Sequence, residues 1–152
     1  MTRDRAIALG LIGFALAFNL FFLRWQVSVA APDLNDNVLH LVAAQRAALA
    51  LGQGQDIADH WLPGIAMGYP LLHHYQHLPL GFLALLYSAL GQAVSTVSLL
   101  HWVSYLMLSL FPLSIFWAMR KLDFDRVPSA LAGLAAPLVS TSYLYGLEYG
   151  SY

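Results

Sequence analysis

The sequence predicts an all-α, polytopic transmembrane helical bundle of about four spans, with an interfacial helix in its first loop. Three observations point there. The 152 residues are 59% hydrophobic and only 10% charged, where soluble domains run nearer half apolar and a quarter charged. Mean hydropathy is +0.63. The apolar residues also fall in long charge-free runs, which helices of membrane length require. The same numbers argue against a soluble enzyme and against a disordered chain, which needs low hydrophobicity and high charge. A net charge of −1 gives a nucleic-acid binder no electrostatic footprint. The absence of Cys excludes disulfides, iron–sulfur clusters and thiolate zinc sites within these residues.

The first predicted span is residues 6–23. Ala6 to Leu23 carry no charge, and Asn19 is their only strongly polar side chain. At about 1.5 Å per residue the run covers roughly 27 Å, close to a hydrocarbon core. Arg3, Asp4 and Arg5 precede it, and Arg24-Trp25 close it as an interfacial anchor. A signal peptide ending near Ser28-Val29-Ala30 is the competing reading. The length of the run and the intervening Arg24-Trp25-Gln26 favour a span.

Residues 24–77 form the one long polar stretch. They hold four of the eight acids (Asp33, Asp36, Asp56, Asp59) and five of the six His. Within them Leu34 to Leu51 is Ala-rich, free of Pro and followed by Gly52, a helix with a stop signal. Its mixed faces suggest a helix lying at the membrane interface. Gly, Pro and Trp then punctuate a loop from Gly52 to Pro70.

Leu78 to Met119 is again free of charge. A single helix of that length would run roughly 63 Å, too long for one crossing. Gly91 to Thr96 offers a turn, so spans are predicted at 78–95 and 97–119, with Pro112 kinking the second. After the charged turn Arg120 to Arg126, a fourth span is predicted at 127–147, rich in the small residues of close helix packing. Tyr143, Tyr145, Tyr149 and Tyr152 crowd its end. The expectation is the N-terminal part of one membrane domain of a longer chain, whose remaining spans would be its partners. With a cytoplasmic N-terminus this alternation leaves Arg3 and Arg5 inside and Arg24, Arg46, Arg120, Lys121 and Arg126 outside. The positive-inside rule prefers the reverse.

Three clusters carry candidate chemistry. In Asp33-Leu34-Asn35-Asp36-Asn37-Val38-Leu39-His40, two carboxylates stand three apart, and His40 follows Asp36 by about one helical turn. Asp36 and His40 can ligate a divalent cation such as Mg or Mn, or supply a general base. Asp33, Asn35 and Asp36 are equally good helix N-caps. In Asp56 to Pro63, Asp59 or His60 can face a phosphate or metal and Trp61 a sugar or lipid, or the segment is a loop with an anchoring Trp. In Gly68 to Pro79, Tyr69, Tyr75, Gln76 and His77 line a groove at the mouth of the next helix. There His73 and His77 have the spacing that chelates a metal on one helical face. His101, inside an apolar run, is read as a hydrogen-bonded core His or an intramembrane functional group.

At these clusters the chain resembles polytopic GT-C-type glycosyltransferases, which use polyprenyl-phosphate sugar donors. It is most similar to bacterial membrane proteins labelled 6-pyruvoyl-tetrahydropterin-synthase-related, a label that implies no pterin chemistry. The residues carrying the resemblance are PDLNDNVLH, the helix ending AALALGQGQ, and DHWLPGIAMGYPLLHHYQHLPL. Asp36 with His40, Trp61 with Pro63, and Gly68-Tyr69-Pro70 with Tyr75 match the family pattern, which varies at Asp33. The resemblance implies a cytoplasmic N-terminus in the plasma membrane and an extracytoplasmic loop at 24–77. It implies Asp36, or less strongly Asp33, as base toward the acceptor or as metal ligand, with Asn35 and His40 in support. The implied partners are membrane lipids and a polyprenyl-phosphate sugar donor. Such enzymes have many more spans, so the 152 residues alone are expected to be inactive. The rival reading is a non-catalytic transporter or assembly subunit, in which Asp36 only caps a helix.

Overall fold

A computed structural model describes residues 3–29, 31, 36–64, 67–74, 77–91 and 93–139, and only the backbone of 36, 37 and 137–139. The described chain is helical: α1 (Arg3–Phe22), a 3-10 segment (Leu23–Ser28), α2 (Asp36–Gly52), α3 (Leu71–His74), α4 (His77–Ala89), α5 (Thr96–Lys121) and α6 (Arg126–Val139). Asp33, Asn35, Tyr75, Gln76 and residues 140–152 lie outside the described residues. Contacts divide the chain into two compact units, residues 1–28 with 102–152, and residues 29–101. The division falls within α5.

The first unit joins α1, α6 and most of α5. On α1 the buried residues are Ala8, Ile12, Ala15 and Asn19, whose four-three-four spacing makes one stripe. Ala8 and Ile12 pack with Ala130 of α6, and Leu11, Leu16 and Phe116 close around them. A Cβ at Gly133 would stand 2.6 Å from the Pro112 carbonyl oxygen and 2.9 Å from Ile12 Cδ1. The glycine therefore lets three helices meet. Pro112 has no N–H for the Leu108 carbonyl one turn back. Asn19 Nδ2 reaches across from α1 and donates to that carbonyl at 3.3 Å. Tyr105 Oη similarly donates to the carbonyl of Leu20 at 3.0 Å, near the end of α1. Together these pairings run α1 antiparallel to α5 and parallel to α6.

The turn between α5 and α6 is a Schellman cap. Asp123 takes the left-handed conformation at φ 62°, Asp123 N–H donates to Arg120 O, and Phe124 N–H to Met119 O. The Arg120 guanidinium also donates to the Phe124 carbonyl. One consequence is topological. Arg3, Asp4, Arg120, Asp125 and Arg126 line a single cleft, so the start of α1 and the α5–α6 turn share one end of this unit.

Large apolar side chains on these helices are left exposed. Asn19, Ser109, Pro112 and Ser129 are buried, while Phe14, Phe18, Phe21, Met107 and Trp117 are exposed. The stretches Arg3–Ser28 and Thr96–Lys121 are long and apolar enough to cross a membrane, and only 28% of each apolar window is buried. A core helix of a soluble protein would be covered on most sides.

The second unit is built on α2 against α4. α2 buries Leu41, Ala43, Ala44, Ala47 and Ala50, and α4 buries Leu80, Gly81, Leu83 and Ala84. The small residues let the two backbones approach. α2 ends in a second Schellman cap: Gly54 N–H donates to Leu51 O and Gln55 N–H to Ala50 O. Gly54 takes the left-handed position at φ 69°, so the stop signal is Gly54 rather than Gly52, which is the last helical residue. α4 stops at Ala89 instead of reaching 95. Its 13 residues cover roughly 20 Å, short of a hydrocarbon core. Ser95 then caps α5, its Oγ accepting from the Ser98 N–H at 3.1 Å.

Candidate functional site

The second unit brings the clusters at 56–63 and 68–79 together. Leu62 and Tyr69 exchange backbone hydrogen bonds of 2.9 and 3.1 Å, which pinch the chain into a tight loop. Before it, Asp56 Oδ1 accepts from the N–H groups of Ala58 (2.7 Å) and Asp59 (3.3 Å), an Asx turn. His60 is buried, and its Nδ1–H donates to the Asp56 carbonyl at 3.2 Å. That contact fixes the start of the loop and turns Asp59 and Trp61 to solvent.

Trp61 is held on three sides yet remains 55% exposed. Arg46 Nε of α2 donates to its carbonyl at 2.8 Å, and Arg46 Nη2 donates to Gln55 Oε1 at 2.8 Å. Its neighbour Leu62 is tied to Tyr69. The indole lies over Gly68, where an added Cβ would fall 2.1 Å from Trp61 Nε1. Gly68 also has φ 106°, a conformation side chains strongly disfavour. Gly68→Ala is therefore expected to lower the stability of the detergent-solubilised protein by about 2 kcal/mol or more. The double variant Gly68→Ala with Trp61→Ala removes the clash and should lose less than the two single variants summed. Thermal unfolding monitored across this cycle checks both.

Beside the indole loop, Asp59 Oδ1 lies 3.5 Å from His73 Nδ1. His73 meets His74 edge to face at 4.7 Å between centroids, and His74 meets Tyr69 at 5.7 Å. Asp59, Tyr69, His73 and His74 are all exposed. The result is an exposed cluster of a carboxylate, two imidazoles and a phenol, in the loop region that also exposes the Trp61 indole. Such a surface can stack on a sugar ring or on the interfacial part of a lipid, and the imidazoles and carboxylate can accept or donate hydrogen bonds to hydroxyls.

The sequence-predicted residues fare unequally. Asp36 is the first residue of α2, and His40, one turn on, is half-buried. Asp33, Asn35, Tyr75 and Gln76 are outside the described residues. His77 opens α4 and is exposed. His73 lies in α3 and His77 opens α4, and residues 75 and 76 between them are outside the described residues, so the alternative metal spacing of this pair falls partly outside them. His73 lies beside Asp59. Among the described residues no three of His, Asp or Glu converge on one point. His101 is buried, and its Nδ1–H donates to the Val29 carbonyl at 3.1 Å. Sequence reasoning passed over Arg46 and Gln55. A lone Arg within the Ala-rich run of α2 was the available signal, since a cation there needs a polar partner off the helix.

A second, smaller cleft of about 270 Å³ in this unit is lined by Gln45, Ala48, Leu49, Tyr87 and Thr96. Gln45 Nε2 donates to Thr96 Oγ1 at 2.8 Å across it. No protein-family model matches the chain, and neither does any curated protein or solved structure. Fold and exposure define the class: an all-helical protein, over the described residues, with two helices long and apolar enough to cross a membrane.

Proposed function

We propose that the chain is the N-terminal part of an integral plasma-membrane glycosyltransferase of GT-C type. It would move a sugar from a polyprenyl-phosphate donor to a lipid, glycan or protein acceptor. The observation that carries the reading is the polar-aromatic surface of the second unit. Trp61 is held exposed over Gly68, and the same loop region carries the exposed, mutually contacting Asp59, His73, His74 and Tyr69. An exposed indole and hydrogen-bonding groups in one loop region suit a sugar carried on a lipid. Asp36 is the proposed base, or a ligand to Mg or Mn with His40. The sequence resemblance at Asp36, Trp61 and Gly68-Tyr69-Pro70 supports the assignment.

The reading includes a topology. α1 and α5 are the two crossings, followed by α6 and the further spans of a longer chain. α4 is too short to cross and covers α2. The segment between α1 and α5 then stays on one side. Arg3, Arg5, Arg120, Lys121 and Arg126 fall on the other, five against Arg24 and Arg46. With that count the positive-inside rule favours a cytoplasmic N-terminus and an extracytoplasmic loop. The conflict present with four crossings disappears.

The test is a transfer assay. Membranes containing the full-length protein are incubated with a panel of radiolabelled polyprenyl-phosphate hexoses. Protein-dependent transfer of label into a product from at least one donor is expected. No transfer from any of them contradicts the proposal.

A further inference from the structure

At the end of the first unit, remote in sequence from the residues assigned above, Arg3, Asp4, Ile7, Arg120, Asp125, Arg126, Val127 and Pro128 line a cleft of about 740 Å³. Three arginines from three chain segments line it, with two aspartates, leaving the lining one positive charge in excess. Proximity has not led to pairing. Among the described residues neither Arg3 nor Arg126 makes an ion pair with Asp4 or Asp125 within 4.0 Å. Arg120 is partly used, donating to the Phe124 carbonyl. Arg3 and Arg126 thus line one space without a direct ion pair to either aspartate.

The surroundings say what kind of anion fits. Ile7, Val127 and Pro128 give the cleft an apolar side. Below it the helices expose Phe14, Phe18 and Met107. Trp117 is 63% exposed, with Lys121 Nζ 5.5 Å from its ring. An aromatic and basic residue paired in this way marks the headgroup level of a bilayer. At the other end of α1, Arg24 stacks on Phe21 and Trp25. The 20 residues of α1 separate the two levels by roughly 30 Å, one hydrocarbon thickness. The cleft therefore sits where a phosphate and glycerol backbone would be found, with charge on one wall and hydrocarbon-compatible side chains on the other.

We propose that this cleft binds the headgroup of an anionic glycerophospholipid, its phosphate bridging Arg3 and Arg126 and its glycerol side against Ile7, Val127 and Pro128. Guanidinium suits this role because its planar fork takes two phosphate oxygens at once. Asp4 and Asp125 limit the affinity and keep the cleft selective for a ligand that also gains apolar contact. The site does not depend on the glycosyltransferase reading.

The experiment uses the full-length protein in neutral detergent, offered equimolar phosphatidylglycerol and phosphatidylcholine, with bound lipid counted by native mass spectrometry. Phosphatidylglycerol should be retained in preference. The double variant Arg3→Gln, Arg126→Gln should weaken its retention by about thirtyfold, and Arg24→Gln at the other end should leave it unchanged. The pair Asp4→Asn, Asp125→Asn should strengthen retention, a gain that misfolding cannot imitate. Equal retention of the two lipids, or indifference to both double variants, overturns the proposal. So does complete displacement of phosphatidylglycerol by millimolar inorganic phosphate, which would mark a site for the free anion.

Discussion

On the proposed glycosyltransferase reading, Asp36→Asn is expected to reduce sugar transfer by the full-length protein at least about 100-fold, the lower range for loss of a general base. The substitution is chosen because Asn caps a helix about as well as Asp. Asp36 is the first residue of α2, so a purely structural role survives the exchange while a proton-accepting or metal-ligating role does not. Stability and expression should therefore be unchanged. Asp33→Asn should cost less, since the GT-C pattern that the sequence resembles varies there, and His40→Gln should fall between the two. Initial rates in membranes of matched protein content separate these cases. Full activity in Asp36→Asn would return the residue to capping and favour a non-catalytic role.

Gly133→Leu is expected to destabilise the first unit by about 3 kcal/mol. The reason is the nature of the obstacle. A Cβ there meets the Pro112 carbonyl oxygen at 2.6 Å and Ile12 Cδ1 at 2.9 Å. The isoleucine can swing away, but the backbone carbonyl cannot move without unseating α5 from α6. Even Gly133→Ala should cost measurably, and Ile12→Ala should rescue it only in part. Gly10→Ala and Gly13→Ala provide the contrast, because nothing lies within 4 Å of a Cβ at either. Those two should be neutral or slightly stabilising, as alanine is the better helix former. Thermal midpoints of the purified protein in one detergent rank all five variants.

The helical character was legible because it rests on composition and local pattern. Charge-free runs at 6–23 and 97–119 overlie α1 and α5, and Gly91 with Ser95 announced the break before α5. The short α4 was not legible. Leu78 to Leu90 reads as apolar whether lipid covers it or the alanine face of α2 does, and hydropathy cannot distinguish the two. Under the proposed two-crossing topology the same ambiguity set the orientation conflict, since counting α4 as a crossing moves Arg120, Lys121 and Arg126 to the side of Arg24 and Arg46. In the candidate site, sequence proximity grouped 56–63 and 68–79 separately. Their union depends on the Leu62–Tyr69 pairing, a contact between residues that carry no turn signature of their own. Arg46 was hidden for a related reason, as its partners, the Trp61 carbonyl and Gln55, lie beyond the end of its own helix. Asn19 was visible as a lone polar residue in an apolar run, but its use could not be read. It answers a proline 93 positions away on another helix.

The most direct test of the account is the sidedness of two positions. These residues contain no Cys, so Gln55→Cys and Asp123→Cys can each be introduced singly into the full-length protein. A membrane-impermeant maleimide is applied to intact cells and again after permeabilisation. The two-crossing topology predicts labelling of Gln55→Cys in intact cells and of Asp123→Cys only after permeabilisation. Labelling of both in intact cells would restore four crossings. Labelling of Asp123→Cys alone would place the indole loop and Asp36 in the cytoplasm and contradict the glycosyltransferase assignment.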